Sequence, residues 1–293
     1  MKLAKGALNR VVSRPFIIVF SVLLSLLYCI VDFLNPLVAV MFGVSAMGEG
    51  DLLGTVISLI QLALSPSLLL KAGLWIVAGV VLAALIAGLL FSGYFYILKN
   101  TLEDAPRKRG EYFAGIKKYF GRVFRTSLAV LSLSVVFLVF LIVLSIPALF
   151  VSWSWKEGKP ELFGMMLLLD ILTVVVVFFI FMFFRLYLSY WYPAVYSFQK
   201  GSFGMAKSIV DEKFWTLVGR WVLIDILFIL GETLFLSLRY RQSSGGDGGP
   251  VLISMLFAGE LVTVMLFFST VTTFLFASFR TISNQLTDKN QIE

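Results

Sequence analysis

Residues 162–190 read LFGMMLLLDILTVVVVFFIFMFFRLYLSY, a run in which only Asp170 and Arg185 are charged. About 20 consecutive apolar residues allow a helix to cross the roughly 30 Å hydrocarbon core of a bilayer. A helix this apolar on all sides does not suit the surface of a water-soluble protein. The segment therefore predicts a transmembrane helix.

Five further segments have the same character. The six predicted spans cover residues 16–42, 72–98, 127–151, 162–190, 214–238 and 251–278. The whole composition agrees, because 59% of the 293 residues are hydrophobic, 14% are charged and the mean hydropathy is +0.96. We expect an all-α, polytopic protein of six transmembrane helices, folded as one membrane domain over residues 1–293.

The basic residues predict how the spans are oriented. Seventeen of the 24 Lys and Arg residues precede span one, separate spans two and three or four and five, or follow span six. Five lie on the other side, and Arg185 and Arg220 fall within spans. Since Lys and Arg concentrate in cytoplasmic loops, we expect the cell membrane, with both termini cytoplasmic. This bias explains the net charge of +7, and dispersed charges beside a bilayer argue against a nucleic-acid partner.

A segment with the pattern of an amphipathic helix precedes each odd-numbered span. Between spans two and three, the apolar face of residues 112–124 is opposite a polar face of Glu111, Lys117, Lys118 and Arg122. Residues 3–13 and 203–214 repeat the pattern. It predicts three parallel hairpins, residues 1–101, 102–196 and 197–293, each begun by a cytoplasmic amphipathic helix. The alternative is that basic inner loops alone produce the similarity.

One local stretch carries a resemblance to known proteins. Tyr192-Pro193-Ala194-Val195-Tyr196, followed by Lys200-Gly201, Ala206-Lys207-Ser208 and Phe214-Trp215, resembles the inner segment of a broad group of six-span bacterial and archaeal membrane proteins. That group is similar to the membrane domain attached to some glycerophosphodiester phosphodiesterases. The resemblance implies a six-span architecture over most of the chain. It does not imply phosphodiesterase activity, because the chain has no catalytic barrel, and it implies no site residues.

Acidic residues within the spans are the first candidate site, because a charge at the bilayer centre costs about 2.5–3.5 kcal/mol. At about 1.5 Å per residue, four acids lie roughly 9–15 Å below the predicted outer ends of their spans. These acids are Asp32, Asp170, Glu232 and Glu260. They predict a polar cavity open to the outside, for a cation, a proton or a cationic headgroup. The alternative is that they pair with Arg239, Arg241 or hydroxyl groups.

Two further candidate sites lie toward the cytoplasmic side. Arg185 on span four, with Arg220 and Asp225 on span five, predicts either an ion pair from Arg185 to Asp225 or a site for a lipid phosphate. The second amphipathic helix has a basic face that suits anionic lipid headgroups or serves topology alone. Its residues are Lys117, Lys118, Arg122 and Arg125.

The composition excludes several kinds of chemistry. The chain has no histidine and one cysteine, so His-based acid–base catalysis, His-ligated zinc and an internal disulfide are excluded. It also has no Gly-rich phosphate loop, HExxH, CxxC or GxSxG motif. We therefore expect no cofactor, no metal site and no enzymatic activity.

These observations favour a membrane protein that handles a lipid or small amphiphile, or that forms the membrane subunit of a transport or envelope assembly. Three alternatives stay open: a proton- or cation-coupled permease using the outer carboxyls, a membrane scaffold, and a membrane-embedded enzyme acting on lipid phosphate. Expected partners are membrane lipids, together with either a membrane or cytoplasmic subunit or further copies of the chain.

Overall fold

The computed structural model describes residues 14–33, 66–156, 159–198, 201–243 and 250–292, and every regular element in these ranges is helical. The elements are α1 (Pro15–Phe33), α2 (Pro66–Leu102), α3 (Glu111–Lys156), a 3-10 turn (Pro160–Leu162), α4 (Phe163–Ser197), α5 (Ser202–Ser243) and α6 (Pro250–Ile292). The predicted all-α class is confirmed. The amphipathic segment 3–13 and the end of predicted span one, residues 34–42, lie outside the described residues.

The helices have the length and composition of membrane spans. Five of them, α2 to α6, are long and apolar enough to cross a bilayer, and α1 is a shorter apolar helix. Many of their large apolar side chains are exposed, including Val174, Leu227 and Leu82. Such exposure is expected where lipid replaces water as the surrounding medium. The chain is therefore a multi-pass membrane protein.

The two described amphipathic segments join the spans that follow them in different ways. The 46 residues of α3 join residues 112–124 to predicted span three without interruption, and no proline lies between Glu111 and Pro147. At about 1.5 Å per residue this helix is roughly 69 Å long, more than twice the hydrocarbon thickness. In α5 the backbone departs from helical angles at Lys213 (φ −130°, ψ 25°). That break separates residues 202–212 from predicted span five.

Consecutive helices run in opposite directions. Helices α1, α3 and α5 begin at the same end of the bundle at which α2 and α4 terminate. We call it the basic end. There Arg14 before α1 pairs with Glu111 at the start of α3, and Trp191 near the end of α4 donates to Ser202 at the start of α5. The late part of α6 reaches the same end, where Arg280 donates to the carbonyl of Leu102.

The three returning helices form the centre of the bundle. α2, α4 and α6 contact one another, while α3 packs between α2 and α4, α5 between α4 and α6, and α1 between α6 and α2. Each outer helix therefore occupies an equivalent place between two central ones.

Tyrosine hydroxyls connect α6 to the other two central helices. The hydroxyl of Tyr94 on α2 lies 3.1 Å from that of Thr272 on α6, and the hydroxyl of Tyr190 on α4 lies 2.7 Å from that of Ser278 on α6. Both tyrosines are buried. Because lipid gives helices no hydrophobic drive to associate, such bonds help to select the packing partner.

A third tyrosine connects α4 to α2. Tyr196 donates its hydroxyl to the carbonyls of Phe91 and Ser92 at 3.0 and 3.2 Å. In the other direction, the Lys99 ammonium on α2 donates to the Tyr196 carbonyl at 2.9 Å. Tyr196 belongs to the stretch that carries the family resemblance, and its ring packs against Tyr119 of α3 at 4.6 Å between centroids. A buried hydrophobic cluster of the described residues, which contains these tyrosines, lies toward the basic end.

Replacing Tyr94, Tyr190 and Tyr196 together by Phe removes all three connections while keeping the rings. Hydrogen bonds between membrane helices contribute about 0.6 kcal/mol each, so we expect a loss of about 2 kcal/mol in stability. Thermal unfolding in lipid nanodiscs measures the change. Tyr112→Phe is the control, since its hydroxyl makes only long contacts of 3.4 Å to carbonyls of α2. Equal unfolding temperatures for the triple variant and the control would contradict this role.

Candidate functional site

The acids that the sequence predicted to share one outer cavity lie in different helix pairs. Ser152 on α3 donates to the Asp170 carboxylate on α4, with both oxygens at 3.2 Å. Asp170 is thus held by a hydroxyl within the α3–α4 hairpin, which is one of the pairings that the sequence left open. The Asp32 side chain lies outside the described residues.

Glu232 and Glu260 lie at one level of the α5–α6 pair. Gly259 packs so closely against α5 that a Cβ there would lie 2.9 Å from the ring of Phe235. Glu260 follows this glycine, and Glu232 lies one helical turn before Phe235. The Glu260 side chain is fully buried, and Glu232 is half-buried. Two of the four predicted acids therefore share a depth between neighbouring helices.

The predicted ion pair between Arg185 and Asp225 is present. The guanidinium of Arg185 on α4 donates to both carboxylate oxygens of Asp225 on α5, with one bond of 2.8 Å and a second, shorter one. Its central carbon also lies 4.5 Å from the ring centre of Trp221, one turn before Asp225. Arg220 is exposed and stands apart from this pair. The bidentate bonds and the stacking favour a structural ion pair over a lipid-phosphate site at Arg185.

The predicted basic face of α3 is exposed, and it extends into the preceding loop. Residues 107–125 contain a single acid, Glu111, which is buried. Their basic side chains are all exposed: Arg107, Lys108, Arg109, Lys117, Lys118, Arg122 and Arg125. The structure therefore concentrates exposed positive charge on one short part of the basic end.

Glu111 is an important residue that sequence reasoning placed wrongly on the solvated polar face. Its carboxylate accepts from Arg14 at 2.9 Å and from the Asn100 amide at 2.5 Å. Arg14 also donates to the carbonyl of Ala105 at 2.6 Å. These bonds tie the start of α1 to the α2–α3 connection. One feature of the sequence could have indicated this role. Glu111 is the only acid within residues 107–125, so its carboxylate is surrounded by cations with which it can pair.

A cleft of about 610 Å³ lies where the first turns of α1 and α3 meet the α2–α3 connection. We call it the loop cleft. Its lining combines cations with aromatic rings, among them Arg14, Arg107, Lys108, Arg109, Phe16 and Phe113. In the sequence, Arg107, Lys108 and Arg109 served only as topology and repeat signals, because nothing in their spacing shows that they border a cavity.

A second cleft, of about 400 Å³, lies between α2, α4 and α6 and contains Lys99 and Arg280. Both cations already have structural partners. Lys99 donates to the carbonyl of Tyr196 at 2.9 Å, and Arg280 donates to that of Leu102. These carbonyls belong to the last turns of α4 and α2, where cations stabilise the negative end of a helix. Helix capping therefore accounts for the two cations of this cleft.

Comparison with protein-family models, with curated proteins and with solved structures finds no match for the chain. The resemblance to the membrane domain of glycerophosphodiester phosphodiesterases therefore stays a prediction. Within the described ranges, no three acidic or thiol side chains converge as a metal site would require.

Breaking the Arg185–Asp225 pair tests its structural role. Asp225→Asn leaves Arg185 without its counter-charge, and we expect a loss of roughly 2–3 kcal/mol, somewhat below that of a fully buried pair, since both side chains are partly exposed. The double variant Arg185→Met, Asp225→Leu removes both charges and should recover much of this loss. Unfolding measured in nanodiscs for Arg185→Met alone, Asp225→Leu alone and the double variant gives the coupling free energy. Additive losses would show that the two groups do not stabilise each other.

Proposed function

We propose that the protein is a non-enzymatic, six-span protein of the cell membrane that handles a lipid or small amphiphile with an anionic headgroup. The basic end faces the cytoplasm in this proposal, and both termini lie on that side. The observation that carries it is the exposed basic stretch of residues 107–125, whose one acid is occupied internally by Arg14 and Asn100. Each Lys or Arg close to an anionic leaflet contributes about 1 kcal/mol of attraction.

The same proposal includes three parallel hairpins, α1–α2, α3–α4 and α5–α6. The packing of each outer helix between two central helices supports it, because a three-fold repeat would place the first helix of every hairpin equivalently. The basic charge at the start of α3 and in the connection before it supports the cytoplasmic orientation. In this arrangement the odd-numbered helices enter the membrane at the surface where anionic headgroups are found.

Native mass spectrometry with lipid analysis tests the proposal. The protein is purified in mild detergent from membranes containing anionic and zwitterionic phospholipids. We expect an anionic lipid or amphiphile to stay bound in fixed stoichiometry, enriched about tenfold or more over its share of the membrane. Bound lipids in the same proportions as the bulk membrane would contradict the proposal. An empty protein with a fixed partner subunit would favour the assembly alternative.

A second candidate function is a proton- or cation-coupled permease. It is favoured by the complete burial of the Glu260 side chain at the level of Glu232, because ionisable side chains inside the membrane commonly mark ion or proton pathways.

Charge movement in proteoliposomes tests this second candidate. A pH jump or a sodium jump should produce a transient current that Glu260→Gln abolishes. Asp170→Asn is the matched control, since this carboxylate lies in the α3–α4 hairpin, bonded to Ser152 and away from the α5–α6 pair, and it should keep the current. A wild-type protein that gives no current above empty liposomes would exclude the permease.

A further inference from the structure

The loop cleft carries an unbalanced positive charge. Four cations and a single acid, Glu111, line it. That acid is already bonded to Arg14 and Asn100 at 2.9 and 2.5 Å, so one cation of the four is compensated. Arg107, Lys108 and Arg109 are exposed and give the mouth of the cleft three positive charges. The chain before Arg14 contains three more basic residues and no acid.

The wall of the cleft is apolar and aromatic. The rings of Phe16 on α1 and Tyr112 on α3 lie 5.0 Å apart. Phe113 lines the same cleft with 73% of its side chain exposed. The mouth thus attracts an anion, while the wall suits an apolar chain. A volume of about 610 Å³ falls in the range typical of organic ligands and far exceeds the needs of a phosphate ion.

We infer that the loop cleft binds one anionic phospholipid, with Arg107, Lys108 and Arg109 around the phosphate and with Phe16 and Phe113 against the glycerol and the first part of the acyl chains. Guanidinium groups bind phosphate oxygens bidentately, and a lysine adds a point charge. The inference rests on the proposed function and names its binding site.

The lipid origin of the phosphate follows from the position of the cleft. It lies at the first turn of α1, and this helix continues with exposed apolar residues such as Val19 and Leu23. A lipid whose phosphate occupies the mouth can extend its chains along α1. A soluble phosphate would leave the aromatic wall exposed to water.

The basic face further along α3 provides a matched control. Lys117, Lys118 and Arg122 are as exposed as the loop cations, yet they do not line the cleft. The variants R107Q/K108Q/R109Q and K117Q/K118Q/R122Q each remove three positive charges. A general attraction to anionic lipid predicts the same loss of affinity in both variants, whereas a binding site in the cleft predicts a larger loss in the first.

The full-length protein in detergent is titrated with phosphatidylglycerol and, separately, with phosphatidylcholine, and the first bound lipid is followed by native mass spectrometry. We expect R107Q/K108Q/R109Q to weaken binding of the first phosphatidylglycerol by about tenfold more than K117Q/K118Q/R122Q does, because only the first three cations line the cleft. Binding of phosphatidylcholine should be weak in all three proteins. Thermal unfolding confirms that the variants are folded.

Two further measurements identify the source of the phosphate. Phe113→Ser should weaken phosphatidylglycerol but leave the binding of glycerol 3-phosphate unchanged, because only the lipid has chains to contact the ring. Displacement of the lipid by millimolar inorganic phosphate would overturn the lipid assignment in favour of a soluble phosphoanion.

The remaining outcomes separate this inference from the proposed function. Equal losses in the two triple variants, or wild-type affinity in R107Q/K108Q/R109Q, would overturn the cleft as the site while leaving anionic-lipid handling intact. A wild-type protein with no preference for phosphatidylglycerol over phosphatidylcholine would overturn both.

Discussion

Specific polar contacts at one end select which helices of this bundle pack together, because lipid surrounds the helices and provides no hydrophobic drive for their association. Three buried tyrosines supply these contacts. Tyr94 and Tyr190 connect α2 and α4 to α6, and Tyr196 connects α4 to α2. The opposite halves of the helices carry mostly exposed apolar side chains. The hydrogen bonds among the three central helices α2, α4 and α6, which we call the central triangle, are therefore concentrated at the basic end.

The central triangle determines where the helices that form the candidate site begin. α1 and α3 pack against the central helices and begin at the basic end. Arg14 and Glu111 join their starting points, and Asn100 at the end of α2 holds the same carboxylate. Because Glu111 is used in this way, no second acid among the described residues that line the cleft balances the charge of Arg107, Lys108 and Arg109. A structural ion pair thus leaves the neighbouring positive charge available for a ligand.

The sequence predicted the features that depend on local composition and failed on those that depend on distant contacts. Apolar runs predicted the helical membrane fold, and an ion pair between Arg185 and Asp225 on adjacent spans was one of the two arrangements predicted for these residues. The burial of Glu111 depends on Arg14, 97 residues earlier, and no local pattern encodes that contact. The continuity of α3 was likewise missed, since amphipathic and fully apolar residues can follow one another on a single helix. Spacing alone also could not show that Asp170 bonds to Ser152 within its own hairpin.

We propose that the positive charge at the basic end forms a binding site for an anionic headgroup. A structure of the protein determined in nanodiscs containing phosphatidylglycerol tests this binding site. We expect headgroup density in the loop cleft, with phosphate oxygens within hydrogen-bonding distance of Arg107 or Arg109 and chains beside Phe113. A cleft filled by the protein's own residues, with anionic lipid bound elsewhere or nowhere, would contradict it.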